Sequence, residues 1–306
     1  MKLSAVIDGY WLDRRRELSP NTVANYRQFF KYLIAFTGDA EFSEITTRDI
    51  RRFLEHLSME RNYSKRSIHD AWIPLSSLWT WAEIELGTPH IIRGQIAVPS
   101  FPDSIIEPFT KEEIRALLLA AEYSKPWKTR TGKTTQSQRP TADRDRAILL
   151  VLLDTGIRAS ELCNLMLHDY DDQRGRLHIQ HGKGDKPRAV YLGDRARKAI
   201  WRYLAERRTK ATSPLFATKT GAPIERNNLR STLQGIAKLA GVQGLTVHKF
   251  RHTFAITFLR NGGNVAELQR ILGHTTIQMS LHYARLADVD IEAAGKSYSP
   301  ADNWRL

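Results

Sequence analysis

Apolar residues recur at Val23, Tyr26, Phe29, Phe30, Leu33 and Ile34, the three-and-four spacing of one helix face. Ser19-Pro20 ahead of them supplies an N-cap and a proline at the first helical position, and Gly38 behind them a stop. Thr46, with Asp49 three residues on, opens a second helix whose apolar face is Ile50, Phe53, Leu54 and Leu57. A third helix is expected from near Ser64. A fourth is expected over about 71–86 on the pattern Trp72, Leu75, Leu78, Trp79 and Trp81, with Pro74 in its first turn or at a kink. Residues 1–98 therefore read as a helical domain. Arg48, Arg51, Arg52, Arg61, Lys65 and Arg66 lie between the apolar positions. A basic edge of this kind serves equally as a solvated face or as a surface for DNA.

The helical period then stops. VPSFPDSIIEP, residues 98–108, holds three prolines and reads as a stiff, extended connector. It places a domain boundary, with 1–98 before a linker at 99–108 and 109–306 after it. Thr110 and Glu113 form a capping box, and Ile114, Leu117, Leu118 and Ala121 continue that helix. KPWKTRTGKTTQSQR, residues 125–139, carries Lys125, Lys128, Arg130, Lys133 and Arg139 and no acid. It reads as a flexible basic loop, either tracking phosphates or standing as an inert insertion. A helix is expected over 143–153. RLHIQ and RAVYL are strand-like and flank the turn GKGDK. Further helices are expected near 194–208, 226–240, 248–261 and 265–272. The fold class is mainly α, with one small antiparallel sheet in the second domain.

Composition narrows the partners. Lys plus Arg number 46 against 33 for Asp plus Glu, a formal charge of +13. Such a field favours nucleic acid, an acidic membrane surface or an acidic protein, or simply keeps a basic protein soluble. The one cysteine, Cys163, sits in an apolar stretch and reads as a small core residue. It excludes an intrachain disulfide and a Cys-rich zinc site. The N-terminus shows no apolar core of a signal peptide, and no run of about 18 apolar residues occurs. The chain reads as cytoplasmic, with no membrane partner.

Four stretches of the second half carry candidate chemistry: DTGIRASEL (154–162), HGKGDKPR (181–188), HKFRHTFA (248–255) and LGHTTIQMSLHYA (272–284). Arg158, at a helix start, can fork onto two phosphate oxygens, and Glu161 one turn on can buttress it. An ordinary surface pair fits the same spacing. Lys183 stands between two glycines at a hairpin tip, with Lys186 as its competitor. His248 and Arg251 share a helix face and can both reach one phosphoryl group. His248 and His252 have the spacing of a helical metal pair, but no Glu or Cys completes a site, so no metal is expected and His252 reads as a structural, hydrogen-bonded histidine. His274 follows Gly273 at a sharp turn. Tyr283 is a packed tyrosine on spacing alone. As a nucleophile it must lose its proton beside cations, because a phenol titrates near pH 10.

Together and in this order, these stretches resemble the motifs of the tyrosine recombinases, the phage-integrase and Xer-like family. TGIRASEL is similar to the first-arginine motif, HKFRHTFA to the His-x-x-Arg motif and LGHTTIQMSLHYA to the Leu-Gly-His and tyrosine motif. The likeness covers nearly the whole chain. It implies a C-shaped two-domain clamp, with an N-terminal SAM-like core-binding domain and a mixed α/β, mostly helical catalytic domain. It makes Arg158, Lys183, His248, Arg251 and His274 the activating residues, Tyr283 the nucleophile and Glu161 a supporting acid. Lys249 stands where many members carry an acid and is expected to point away from the phosphate.

The resemblance also implies the reaction, DNA strand exchange through a 3′-phosphotyrosine and a Holliday junction, without cofactor, metal or ATP. The partners implied are double-stranded DNA with two inverted half-sites and a homotetramer joined through the tail after Tyr283. The purpose is dimer resolution or mobile-element integration. Arg48, Arg51, Arg52, Lys65, Arg66, Lys125, Lys128, Arg130 and Lys133 are the candidate DNA contacts. A type IB topoisomerase-like nicking-resealing enzyme and a non-catalytic DNA-binding regulator are the alternatives.

Overall fold

The computed structural model describes residues 1–101, 107–180, 187–205, 207, 210 and 212–287. The chain divides into two compact units, Met1–Ser104 and Ile105–Leu306.

The first unit is helical. Its helices are α1 (Leu3–Arg14), α2 (Pro20–Thr37), α3 (Thr47–Met59) and α4 (Lys65–Leu86). The caps follow the sequence signals. The Ser19 hydroxyl accepts from Thr22 N, Gly38 ends α2 at φ 65°, and Thr46 and Asp49 close a reciprocal capping box. Two features depart from the sequence reading. Helix α1 was not marked out by its pattern, because only Leu3, Val6, Ile7 and Tyr10 turn inward. Long-range backbone bonds hold its start, from Leu3 N to Ala40 O and from Phe42 N to Met1 O. The expected third and fourth helices are one, α4, with Pro74 in its interior. Proline removes one hydrogen bond of the ladder. The buried stripe Ala71, Pro74, Leu75, Leu78, Trp79 and Ala82 runs on both sides of that gap and keeps the helix continuous. Trp79 stacks on Phe42 with ring centroids 4.8 Å apart, and the core spreads from there to Tyr10, Phe30 and Phe53.

The second unit is built around α6 (Ala142–Thr155). Before it come α5 (Lys111–Glu122) and a hairpin of β1 (Trp127–Lys128) and β2 (Thr134–Thr135). After it follow α7 (Ala159–Asn164), the strands β3 (Tyr170–Asp171), β4 (Arg176–Ile179) and β5 (Arg188–Tyr191), and the helices α8 (Asp194–Ala205), α9 (Arg226–Ala240), α10 (Val247–Arg260), α11 (Val265–Leu272) and α12 (Gln278–Ala287). The three-stranded sheet is antiparallel in the order β3-β4-β5, with Leu177 opposite Val190 and Ile179 opposite Arg188. The expected basic loop is thus a hairpin, and the expected two-stranded sheet gains β3. Residues Ile148 to Leu152 are all buried, so α6 is covered on every side. A separate apolar cluster of Ala255, Ile256, Leu259, Leu268, Leu272, Tyr283 and Ala287 ties α10, α11 and α12 together. That cluster holds together the helices that carry His248, Arg251 and Tyr283 and the helix end that precedes His274. The Gly182–Lys186 turn and the tail beyond Ala287 lie outside the described residues.

Replacing Trp79 with alanine removes the largest fully buried side chain of the first unit. It should cost about 3–5 kcal/mol. The expected readout is a lower urea midpoint for that unit's transition, and an unchanged midpoint contradicts this core.

Candidate active site

Helix α11 ends on Gly273 at φ 63°, leaving its last carbonyls facing outward from the helix end. Three arginines from three other elements meet them. Arg188 Nε donates to Ile271 O at 2.7 Å, Arg251 Nη2 to Leu272 O at 2.8 Å and Arg158 Nη2 to Gly273 O at 3.3 Å. Arg251, 3% exposed, also donates through Nη1 to Gly156 O at 2.9 Å. Gly156 closes α6 at φ 59°, and a Cβ there would come within 2.8 Å of Phe254 and 2.9 Å of Leu272. The left-handed turn and the close approach of α10 and α11 both require glycine. One guanidinium thus bridges the ends of two helices.

Glu161 orients the other two arginines. It is 4% exposed. Its carboxylate accepts from Arg158 Nη1 at 2.7 Å, from Arg158 N at 2.8 Å, and from Arg188 Nη1 and Nη2 at 3.0 and 2.8 Å. Burial pushes this carboxyl up, but the hydrogen bonds and charges of Arg188 and Arg158 outweigh it and hold the pKa below the ordinary glutamate value. Burial, and then the charge of Arg158, bring Arg251 down to about 10, so it stays a cation at neutral pH. The centre is a positively charged nest with one buried carboxylate inside it.

Tyr283 is 5% exposed and lies against this nest. Its ring stacks on His274, with centroids 6.0 Å apart and planes 8° apart. Burial raises its pKa, while the charge and hydrogen bonding of Arg251, and the charge of Arg158, draw it back. His274 is buried, with Nδ1 2.7 Å from Ser280 Oγ. Burial and the surrounding arginines lower its pKa to about 4, so it is neutral at pH 7. His252 packs between His248 and Tyr283, with centroids 4.1 and 5.4 Å away. The sequence suggested a hydrogen-bonded histidine there. Its Nδ1 is buried without a hydrogen-bond partner among the described residues. Burial, then the nearby His248, Arg251 and His282, lower it to about 4.

The structure therefore brings Arg158, Glu161, Arg251, His274 and Tyr283 together, with His248 exposed on the same turn of α10 as Arg251. Lys183 and its competitor Lys186 lie outside the described residues. Lys249 turns away as expected, with Nζ 4.4 Å from the Phe109 ring centroid and 3.9 Å from Glu113 Oε1. Among the described residues, no group of three His, Cys, Asp or Glu is placed to hold a metal ion. Two contributors escaped the sequence reading. Arg188 ends a quoted stretch, but its partner Glu161 is 27 residues away. Ser280 carries no motif signal beyond lying six residues past His274.

The basic candidates elsewhere are all exposed, except that two of them in the first unit are partly engaged. Arg51 donates to Gln95 O at 2.7 Å, and the Arg66 guanidinium lies 5.0 Å from the Phe101 ring centroid. Arg48, Arg52 and Lys65 stand at the surface, as do Lys125, Lys128, Arg130 and Lys133. Among the described residues, no helix is long and apolar enough to cross a membrane.

Residues 108–289, more than half of the chain and all of the arginine–tyrosine cluster, match the phage integrase family. The chain belongs to that family. Residues 12–85 match the N-terminal SAM-like domain of phage integrases. The phage integrase assignment agrees with full-length relatives. The tyrosine recombinase XerC of Oceanobacillus iheyensis is 30% identical over 99% of this chain and 98% of its own length. The tyrosine recombinase XerD of Listeria monocytogenes is 26% identical, covering 95% and 96%. The fold is that of the Tn1549 transposon integrase, solved with a circular intermediate DNA (TM-score 0.77, 18% identity, all of both chains). It is also that of a lambda integrase dimer bound to a core site (TM-score 0.70, 19% identity, 91% of this chain and 97% of that one). This phage integrase family member is a site-specific recombinase of the tyrosine class.

Two predictions follow from the buried charges. Arg188→Ala leaves Glu161 with one of its two guanidinium partners and should cost about 3–5 kcal/mol, the usual penalty for breaking a buried pair. A loss below about 1 kcal/mol in urea unfolding contradicts the pairing. His252 and His274 are held near 4 in the fold, whereas an unfolded histidine titrates near 6.5. Between those values the unfolded chain binds more protons, so stability should rise with pH across the window and fall as pH drops through it. Unfolding midpoints measured from pH 7 to 4 should show a slope that flattens in the His252→Gln variant. The same slope in both proteins contradicts a buried neutral imidazole at this position.

Proposed function

We propose that this recombinase cuts and rejoins duplex DNA through a covalent bond to Tyr283. The observation that carries the reading is the meeting of the Tyr283 ring, His274 and the Arg158–Arg251 cations inside one unit of one chain. The Tyr283 oxygen attacks the scissile phosphorus in line. A phosphotyrosine ester forms at the 3′ end, and the bond from phosphorus to the 5′ oxygen breaks. Arg158 and Arg251 hold the non-bridging oxygens, where negative charge builds in the transition state. His248, exposed beside them, takes the phenolic proton, and Lys183 supplies one to the leaving oxygen. Because one ester replaces another, the reaction needs no ATP, and the arginine charges do the work that a metal would do.

Ser280 defines the part played by His274. A neutral imidazole carries one N–H. When the Ser280 hydroxyl donates to Nδ1, the proton sits on Nε2 and is available to a phosphate oxygen. Tyr283 already packs on His274 of its own chain, which favours attack by each subunit on its own site.

DNA as the partner is supported by solved structures of phage integrase family folds bound to DNA. In this reading the protein acts in the cytoplasm on inverted half-sites. Four copies assemble on two duplexes, joined through the tail after Tyr283, and exchange strands by way of a Holliday junction. Arg48, Arg52 and Lys65 of the first unit add phosphate contacts.

Tyr283→Phe should abolish the SDS-stable protein–DNA adduct on a nicked suicide duplex in EDTA while duplex binding persists. An adduct formed by the variant would overturn the nucleophile. Arg158→Ala and Arg251→Ala should each slow cleavage by about 100-fold or more and weaken binding far less. Equal losses of cleavage and binding would make them anchors rather than groups that act on the transition state.

A further inference from the structure

The hairpin between α5 and α6 has no part in the chemistry above, yet it is built with care. Tyr123 bridges Gln138, Ser124 N donates to Ser137 O at 2.8 Å, and Thr129 N donates to Lys133 O at 2.8 Å. Its tip is a three-residue loop, 130–132. Gly132 N donates to Thr129 O at 2.9 Å, and Gly132 takes φ 77°, the turn-plus-bulge geometry common in hairpins. At the base, Arg139 N donates to Glu122 O at 2.8 Å, and Arg139 forms a 3.1 Å ion pair with the buried Asp145 of α6. The ribbon is therefore anchored to α6 and hydrogen-bonded from base to tip.

Its surface is one-sided in chemistry. Residues 123–142 contain no acid. Lys125, Lys128, Arg130 and Lys133 are exposed, and none makes an ion pair among the described residues. The remaining positions are mostly threonine, serine and glutamine, which hydrogen-bond to phosphate oxygens and base edges alike. The one large apolar side chain is Trp127, 46% exposed and paired in register with Thr135. A protein partner would call for several apolar anchors. A single indole among unpaired cations suits a nucleic acid, whose groove admits a two-stranded ribbon and whose sugars and bases take an aromatic face.

We infer that this hairpin is a second DNA-contacting element, in which Lys125, Lys128, Arg130 and Lys133 hold phosphates and the Trp127 indole packs into the groove between them. The inference rests on duplex DNA being the substrate. Helix α6 runs 14 residues from the hairpin's base to the Gly156 end of the site, about 20 Å. The hairpin's base is thus a helix length away from the site, and its contacts serve to grip the DNA rather than to cleave it.

The test uses the full-length protein and a 30-base-pair duplex of mixed sequence, with affinity measured across a salt series. Changing Lys125, Lys128, Arg130 and Lys133 together to glutamine should flatten the slope of log affinity against log salt by about one unit per lost contact. Circular dichroism of the variant should match the parent. In a second arm, Trp127→Phe should remove a large part of the tryptophan quenching seen on DNA binding, and Trp127→Ala should weaken binding more than Trp127→Phe does. An unchanged salt slope with unchanged quenching would overturn the inference and leave the surface to a protein partner. If the parent binds and cleaves DNA while these variants behave as the parent does, the hairpin reading fails alone. If the parent binds no duplex, both readings fail.

Discussion

The C-terminus of α11 holds the site together. Its last carbonyls carry the negative end of a helix dipole, and three guanidinium groups close on three of them in succession. Three like charges this close repel one another. The carbonyls and the buried Glu161 carboxylate offset that repulsion before any substrate arrives. Only part of each guanidinium is used in this way, so donors remain for a phosphate. Neighbouring elements of the unit serve this arrangement. Gly156 lets α6 end beside it, Gly273 ends α11 within it, and β5 delivers Arg188.

The same cations govern the titrating groups around them. Burial combined with nearby positive charge keeps His252 and His274 neutral. A neutral His274, with its Nδ1 2.7 Å from Ser280 Oγ, adds no charge to the site. Tyr283 feels the two effects in opposition, since burial raises its pKa and Arg251 lowers it. The net rise keeps the phenol protonated at rest, so the proposed attack calls for a base.

Much of the fold was legible because helix ends are written in local chemistry. Ser19-Pro20, Thr46 with Asp49, and Thr110 with Glu113 each name their own cap, and each is found. Helix α1 was not legible, since its start is held by Ala40 and Phe42, residues far away in sequence. Pro74 suggested a break that the buried face of α4 overrides. Residues 125–139 looked like a loop because threonine and lysine give no alternation of apolar and polar. The glycine that shapes its turn was visible but carried no strand signal around it. Within the site, the Arg158–Glu161 pair was readable at a spacing of three. The part played by backbone carbonyls was not, because only tertiary packing brings Gly156, Ile271 and Leu272 to the arginines.

The central claim is that Tyr283 forms the bond to DNA. The parent protein, trapped on a nicked duplex, can be digested with trypsin and its peptides sequenced by mass spectrometry. Cleavage after Arg270 and Arg285 frees ILGHTTIQMSLHYAR, in which Tyr283 is the only tyrosine. The expected result is a nucleotide attached through its 3′ phosphate to Tyr283. A nucleotide on any other residue, or one joined through a 5′ phosphate, would contradict the assignment of this site.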